Sequence, residues 1–294
     1  SLFESYKRIV RGGSRMTLVN QWHKDWDKIQ KRDRLLGVSL TGIMDAFNAI
    51  GVENNLEYQN EFYQTLKYFA RQVANEYHEF LDIPKSASIT TIKPSGTLAQ
   101  LPTVSSGIHA PYAPQYQRAI RFSKADPMSE AMKNLGMSPE PENEQGEDLY
   151  GKECDTWIFK FPVQTKAKVR QIDESAITQL KRYKVAMESY IESHNVSITV
   201  NVDDAEWDEV MNWFDRNSDC ISGISLLNKF DPNKISHPNL PYQPVDEETF
   251  ERLEKEMIVA KEDDLIKEIA KYEKTDEEYK ILEKSCEGGS CPVR

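Results

Sequence analysis

Apolar residues recur every three to four positions across residues 58–81, YQNEFYQTLKYFARQVANEYHEFL, so Phe62, Leu66, Phe69, Ala70, Val73 and Tyr77 would share one helical face. Ahead of it, RLLGVSLTGIMDAF (34–47) is apolar sequence interrupted by Gly37, Ser39, Thr41 and Gly42. That mix suits a buried strand passing into a tightly packed turn. Residues 1–80 thus read mainly as helices. Further on, SASITTIKPSGTLAQLPTVSSGIHAPYAP (86–114) predicts a short β-branched strand, a Pro-Ser-Gly turn and a loop rich in Pro, Ser and Gly. EPENEQGEDLY (140–150) predicts an exposed acidic excursion, TWIFKFPV (156–163) a strand, and SAITQLKRYKVAMESYIESH (175–194) an amphipathic helix. NVSITVNV (195–202) predicts a strand, DDAEWDEVMNWFDRN (203–217) a helix with an acidic start, and ISGISLL (221–227) a last strand.

Strands alternating with helices imply an α/β architecture with a mainly parallel sheet. From about residue 243 the pattern changes to charged helices and ends in SCEGGSCPVR (285–294). The expected layout is one α/β body over 1–242 and a tail over 243–294, with no internal repeat.

Bulk properties narrow the classes. The 294 residues suffice for one large domain or two small ones, and 39% hydrophobic with 29% charged residues fits a soluble globular protein. No apolar run approaches the roughly 20 residues that span a bilayer. SLFESYKRIVRGGSR at the start has neither the apolar core nor the cleavage site of a secretory signal, so a cytoplasmic setting is expected. The formal net charge of −11 argues against direct nucleic-acid binding, which needs a basic surface. Much of the acidic excess lies in 246–284, whose simplest reading is a solvated helical face. The chain begins at Ser1 without a methionine, and the reading below favours a portion of something longer over simple methionine removal.

Two stretches could carry chemistry. In TTIKPSGTLAQL (90–101) a strand runs into Pro94, Ser95, Gly96, Thr97 and Leu98. Backbone amides, two hydroxyls and a helix start suit a phosphate, with Lys93 able to add charge. An ordinary capped turn reads equally well from local chemistry, and neither Gly-x-Gly-x-x-Gly nor Gly-Lys-Ser/Thr occurs. The second stretch is the terminal pair Cys286 and Cys291. A metal site would need two further ligands, and no His or other Cys lies close in sequence, so no metal is expected. A structural disulfide would fasten nothing at a chain end. A redox pair needs an accessible thiolate, a resolving thiol and freedom to approach a target, and Gly288 and Gly289 let such a loop close. Cys154 and Cys220 read as small core hydrophobes. His109, in SSGIHAPYAP, could line a site, whereas His194 reads as structural.

TTIKPSGTLAQLPTVSSGIHAPYAPQYQRAIRFSKADPM (90–128) resembles the catalytic chain of adenosylcobalamin-dependent (class II) ribonucleotide reductases, with its Pro-Ser-Gly-Thr loop, Gly-Ile/Val-His element and Tyr-Ala-Pro-x-Tyr-x-Arg segment. RLLGVSLTGIMDAF, SHNVSITVNVDDAEWDEV (193–210) and YQPVDEETFERLEKEM (242–257) are also similar, and CEGGSCPVR resembles the tail of the monomeric triphosphate-reducing type. The resemblance implies the C-terminal half of a ten-stranded α/β barrel over 1–242, and a charged helical segment with a flexible redox tail over 243–294. It implies that Pro94, Ser95, Gly96, Thr97 and Leu98 hold the phosphates of a ribonucleoside triphosphate. Cys286 and Cys291 would re-reduce an active-site disulfide and be reduced in turn by a thioredoxin-like protein.

The departures are equally specific. The family's radical cysteine lies in an Asn-Pro-Cys-x-Glu-like motif, which does not occur here, and its two active-site cysteines also lie upstream of the matching region. The expectation is a part of a reductase that needs an N-terminal portion to turn over. The alternatives are the C-terminal part of a class I large subunit and a non-catalytic redox or interaction remnant. The first lacks its adjacent tyrosines here, and the class III Arg-x-x-Gly-Tyr motif is absent as well.

Overall fold

The structure, a computed structural model, describes residues 2–93, 95, 96, 98–142, 154–194, 196–229, 240–259 and 262–272. Its contacts divide the chain into two compact units, one formed by residues 1–112 and 167–229, the other by 113–166 and 230–294.

Unit 1 is built on helices α1 (Leu2–Met16), α2 (Lys24–Asp33), α3 (Ile43–Ile50), α4 (Leu56–Phe80), α6 (Ala176–Ser189) and α7 (Trp207–Arg216). Helix α1 buries Tyr6, Val10 and Ser14, four residues apart, and lies against α4. Helix α4 starts where the Asn55 side chain accepts the Tyr58 amide, satisfying one of the free donors of its first turn. It buries Tyr63, Leu66, Ala70, Val73 and Ala74, with Gln59 and His78 on the same face. The predicted stripe is therefore rotated: Phe62, Phe69 and Tyr77 flank the contact face instead of centring it. Tyr63 is buried against Tyr190, which follows α6, the rings 5.8 Å apart, and His78 is buried where its Nδ1 meets the Pro84 carbonyl at 3.0 Å. Each fully buried side chain of this size contributes about 1.5–3 kcal/mol.

Two parallel pairs complete unit 1: β1 (Val38–Ser39) with β2 (Thr90–Thr91), and β6 (Ser197–Val202) with β7 (Gly223–Asn228). Thr90 and Thr91 are buried with Ile89 and Ile92 on either side, as expected of a parallel strand covered on both faces. Strand β6 alternates half-buried and buried positions along its six residues.

Unit 2 departs from the mainly parallel expectation. Strand β3 (Gln115–Ser123) pairs antiparallel with β5 (Thr156–Gln164) along its whole length, and β4 (Glu140–Pro141) and β8 (Tyr242–Pro244) flank them in the order β4-β5-β3-β8. The sequence reading assigns no strand to 115–123. Tyr116, Ile120 and Phe122 do alternate, but Arg118 interrupts their face, and it is tolerated because its guanidinium lies 5.1 Å from the centre of the Tyr242 ring. Helix α5 (Pro127–Asn134) also goes unpredicted, although Asp126 caps it through the Met128 amide and Pro127 opens its first turn. The charged segment is more than a solvated face. Helix α8 (Glu247–Val259) lies against β3 and β5, burying Phe250 and Leu253, and α9 (Glu262–Tyr272) lies against α5. Met132, Met137 and Phe159 form the small core of this unit.

Candidate functional site

Strands β1 and β2 are parallel, so the segments leaving their carboxyl ends emerge on the same side, the usual place for ligands in α/β sheets. One segment is Leu40, Thr41 and Gly42, leading into α3. The other is the bend of Lys93, Ser95 and Gly96, followed by a single 3-10 turn at Leu98–Gln100, less than the helix that LAQL suggests. Residues 104–107 run across both. The Gly42 amide donates to the Ser105 carbonyl at 2.9 Å, and the Ser105 amide donates to Asp45 Oδ2 at 2.9 Å. The Ser95 amide donates to Ser106 Oγ at 2.9 Å. Thr41 Oγ1 donates to the Ser105 carbonyl at 3.2 Å and is hydrogen-bonded to Ser95 Oγ. The Gly107 amide points at both hydroxyls, 3.2 Å from Thr41 Oγ1 and 3.3 Å from Ser95 Oγ. Gly42 sits at φ +66°, and a Cβ there would stand 2.8 Å from the Val104 side chain, so this crossing needs glycine twice over.

Of the predicted phosphate-binding residues, the structure places Ser95 half-buried at the base of the bend and Gly96 and Leu98 on its open side, Leu98 being 64% exposed. Pro94, Thr97, Cys286 and Cys291 lie outside the described residues. Since Ser106 already engages the Ser95 amide, the donors gathered at this end of the bend are chiefly hydroxyls rather than the expected row of amides. Thr41, Asp45, Ser105 and Ser106 were not assigned to the site from sequence. Their signal is present in the hydroxyl-rich pieces VSLTG and TVSSG, but nothing in a linear reading shows that the two meet.

His109 comes to the same loop. Its Nδ1 lies 2.8 Å from the Ser106 carbonyl, which can only accept, so Nδ1 carries the proton; Nε2 then accepts the Thr199 amide at 3.0 Å. Nδ1 braces the loop itself and Nε2 ties it to β6, and burial, with Arg182 nearby, holds the pKa below the usual histidine value. Beneath the loop, Arg182 of α6 donates to the Ile108 carbonyl at 3.5 Å and pairs with Glu174, both side chains being sealed from solvent. Burial lowers the Arg182 pKa to about 10, which leaves it charged at neutral pH.

The two described cysteines are buried and free. The Cys220 thiol donates to the Asn217 carbonyl at 3.2 Å and its pKa is raised, mainly by burial, so it is a poor thiolate source. Among the described residues, no group of three or more His, Cys, Asp or Glu side chains converges to hold a metal ion. No helix there is long and apolar enough to cross a membrane.

No protein-family profile matches the chain. Curated proteins do match it. The adenosylcobalamin-dependent ribonucleoside-triphosphate reductase of Lactobacillus acidophilus is 28% identical over 331 aligned positions, covering 100% of this chain and 41% of that protein. The protein of the same name from Lactobacillus leichmannii is 25% identical over 304 positions, covering 92% and 38%. A probable reductase of this type from Dictyostelium discoideum is 25% identical over 251 positions, covering 84% and 30%. The chain thus spans about two-fifths of the length of the first of these relatives. A crystal structure of a B12-dependent (class II) ribonucleotide reductase superposes with a TM-score of 0.74 at 22% identity, covering 93% of this chain and 40% of that one. The resemblance read from the sequence is borne out, and the α/β fold is that of part of the class II reductase barrel.

Proposed function

We propose that this chain supplies the phosphate-holding part of an adenosylcobalamin-dependent ribonucleotide reductase acting on ribonucleoside triphosphates, and that it carries the dithiol which restores the active site. The observation that carries the reading is the meeting of hydroxyl-bearing segments beyond the carboxyl ends of β1 and β2, in a chain whose whole length matches these reductases. In this reading Pro94, Ser95, Gly96, Thr97 and Leu98 hold the phosphates and His109 lines the site from the neighbouring loop. The bend offers hydroxyl donors, which anion oxygens accept. Residues 1–242 act as the half-barrel and 243–294 as the charged segment and redox tail. Helices α8 and α9 pack within unit 2, so the reading gives the electron-carrying role to the terminal cysteine pair and not to these charged helices.

The overall reaction replaces the ribose 2′-hydroxyl with hydrogen and releases it as water, while two thiols become a disulfide. The thiolate of Cys286 or Cys291 attacks that disulfide and forms a mixed disulfide. Its neighbour then displaces the restored thiol, and a thioredoxin-like dithiol reduces the tail pair in turn. A thioredoxin-like reductant suits a reducing compartment, and the reading therefore takes the cytoplasm as the setting. The chain contains no Asn-Pro-Cys-x-Glu motif, so the reading assigns the radical cysteine to a partner portion outside these 294 residues.

Adenosylcobalamin supplies radical chemistry. The open cleft of about 690 Å3 walled by α1, α2 and β1 does not fit a corrin, whose rim of amides requires free polar partners. There Gln30 already bonds the Thr17 and Val19 carbonyls, Thr17 bonds the Ser14 carbonyl, and Asp33 is paired with Arg32.

The test combines the chain with a polypeptide carrying the radical-cysteine motif, adenosylcobalamin, a ribonucleoside triphosphate and a reductant. Restored deoxyribonucleotide formation supports the reading, and a chain that adds nothing leaves it a non-catalytic remnant. Changing Cys286 and Cys291 to Ser should abolish turnover with thioredoxin and preserve it with a small dithiol. Full activity of the double variant on thioredoxin alone would remove the shuttle role.

A further inference from the structure

The turn that leaves β1 has no role in the phosphate reading, yet its Thr41 hydroxyl is hydrogen-bonded directly to the Ser95 hydroxyl. We propose that Thr41 is a positioning residue of the phosphate cradle, whose hydroxyl decides where the Ser95 hydroxyl proton points. This rests on the phosphate reading and deepens it.

Counting protons orders the network. Thr41 has one hydroxyl proton, and the Ser105 carbonyl at 3.2 Å can only accept it. The Thr41–Ser95 hydrogen bond must then use the Ser95 proton, so Ser95 donates inward to Thr41. The Gly107 amide is shared between the two oxygens. In this arrangement the Ser95 proton is engaged by Thr41 and is not offered to a phosphate. An arriving anion requires Ser95 to rotate its proton outward. Thr41 can then reverse and donate to Ser95 Oγ. The Ser105 carbonyl it releases is not orphaned, because the Gly42 amide still donates to it at 2.9 Å. No proton changes residue; two hydroxyls rotate together. The Ser105 amide on Asp45 and the close crossing at Gly42 keep residues 104–107 in place while this happens.

A valine at position 41 would keep the shape of threonine but remove the inward partner of the Ser95 proton, which would then already be available to an anion. Thr41 is half-buried, so the change alters little apolar burial. In wild type the rotation exchanges two hydrogen bonds for two, whereas in the valine variant the bond from Ser95 to the anion displaces no protein bond, so affinity should rise by roughly fivefold to tenfold.

The experiment is calorimetric titration of inorganic tripolyphosphate into the full chain, as wild type, Thr41→Val, Thr41→Ser, Ser95→Ala and the Thr41→Val/Ser95→Ala double variant, each with its melting temperature. The proposal expects Thr41→Val to bind about fivefold to tenfold more tightly and Thr41→Ser to bind within about twofold of wild type. In the Ser95→Ala background Thr41→Val should have no further effect, since Thr41 acts through Ser95. Weaker binding by Thr41→Val, or equal and additive changes in both backgrounds, would mean that Thr41 does not act by holding the Ser95 proton, and would overturn the proposal. Normal binding by Thr41→Val beside weak binding by Ser95→Ala would overturn it too, while leaving the phosphate reading intact. No binding by wild type would remove both. If Thr41→Val does not fold, Thr41→Ala replaces it in the same cycle with the same expectations.

Discussion

The two units place their polar side chains in opposite ways. In unit 1 the pairs around β1 and β2 are inside, and several reach across long sequence distances. Arg182 and Glu174 are sealed together, Glu192 accepts both the Arg71 guanidinium at 2.7 Å and the Ile89 amide at 2.8 Å, and Tyr190 joins Tyr6 to the Val38 carbonyl. In unit 2 the ion pairs Arg121–Glu142, Lys160–Glu140 and Lys133–Glu130 are at the surface. A buried group without its partner costs several kcal/mol, whereas a surface pair contributes about 0–1 kcal/mol. Unit 1 is therefore over-determined around β1 and β2, where the candidate site lies, and unit 2 can exchange its charges freely.

The largest expected effect comes from breaking the sealed pair. Arg182→Met leaves Glu174 buried without its counter-charge and should destabilise unit 1 by about 3–5 kcal/mol in denaturant unfolding. Replacing both partners with apolar residues of similar volume should recover most of that. A single variant as stable as wild type would dissolve the contrast between the units.

Gly42→Ala comes next. It combines a positive φ with a Cβ 2.8 Å from Val104, for an expected loss of about 1–3 kcal/mol. Because the strain falls on the crossing of 104–107, tripolyphosphate binding should weaken along with stability. Gly96→Ala, where a Cβ meets nothing within 4 Å, should leave the fold intact.

Acid should act selectively on unit 1. His109 is held neutral in the folded state, with its pKa below the unfolded value near 6.5. The unfolded chain then binds the extra proton first, so the stabilisation is complete above about pH 6.5 and is lost as pH falls below it. His78, also lowered chiefly by burial, adds in the same direction. Urea unfolding from pH 7.5 to 5 should show this slope in wild type and a shallower one in His109→Asn. Identical slopes would mean that the histidine tie contributes nothing.

The smallest effect belongs to unit 2. Glu142→Gln removes the partner of Arg121 at a half-exposed position and should change stability by less than about 1 kcal/mol, and by less still in high salt.

These contrasts also explain what could be read from the chain. Helices α4 and α6 and strands β5, β6 and β7 are legible because apolar periodicity over six or more residues reports burial directly. Strand β3 is hidden by Arg118, whose place on an apolar face depends on Tyr242, more than a hundred residues away. The antiparallel order of unit 2 is hidden for a similar reason: alternation reveals a strand but not the direction of its neighbour. At the site, Pro-Ser-Gly-Thr marks a bend and the family resemblance gives it a purpose. The dependence of Ser95 on Thr41, Ser106 and Gly107 is a property of the crossing of three loops, which no local pattern encodes. Among the site residues, His109 shows the reverse case. A histidine in a glycine-containing loop suggests chemistry, while the fold engages both its nitrogens with backbone.

The central claim is that the hydroxyl-lined carboxyl ends of β1 and β2 hold nucleotide phosphates. Titrating a ribonucleoside triphosphate into the isotopically labelled chain and following backbone amide resonances tests it residue by residue. The account predicts saturable shifts concentrated at Thr41, Ser95, Gly96, Leu98 and residues 105–107, with Ser95→Ala weakening them. Saturable binding whose shifts avoid these segments, or shifts indifferent to Ser95→Ala, would contradict it.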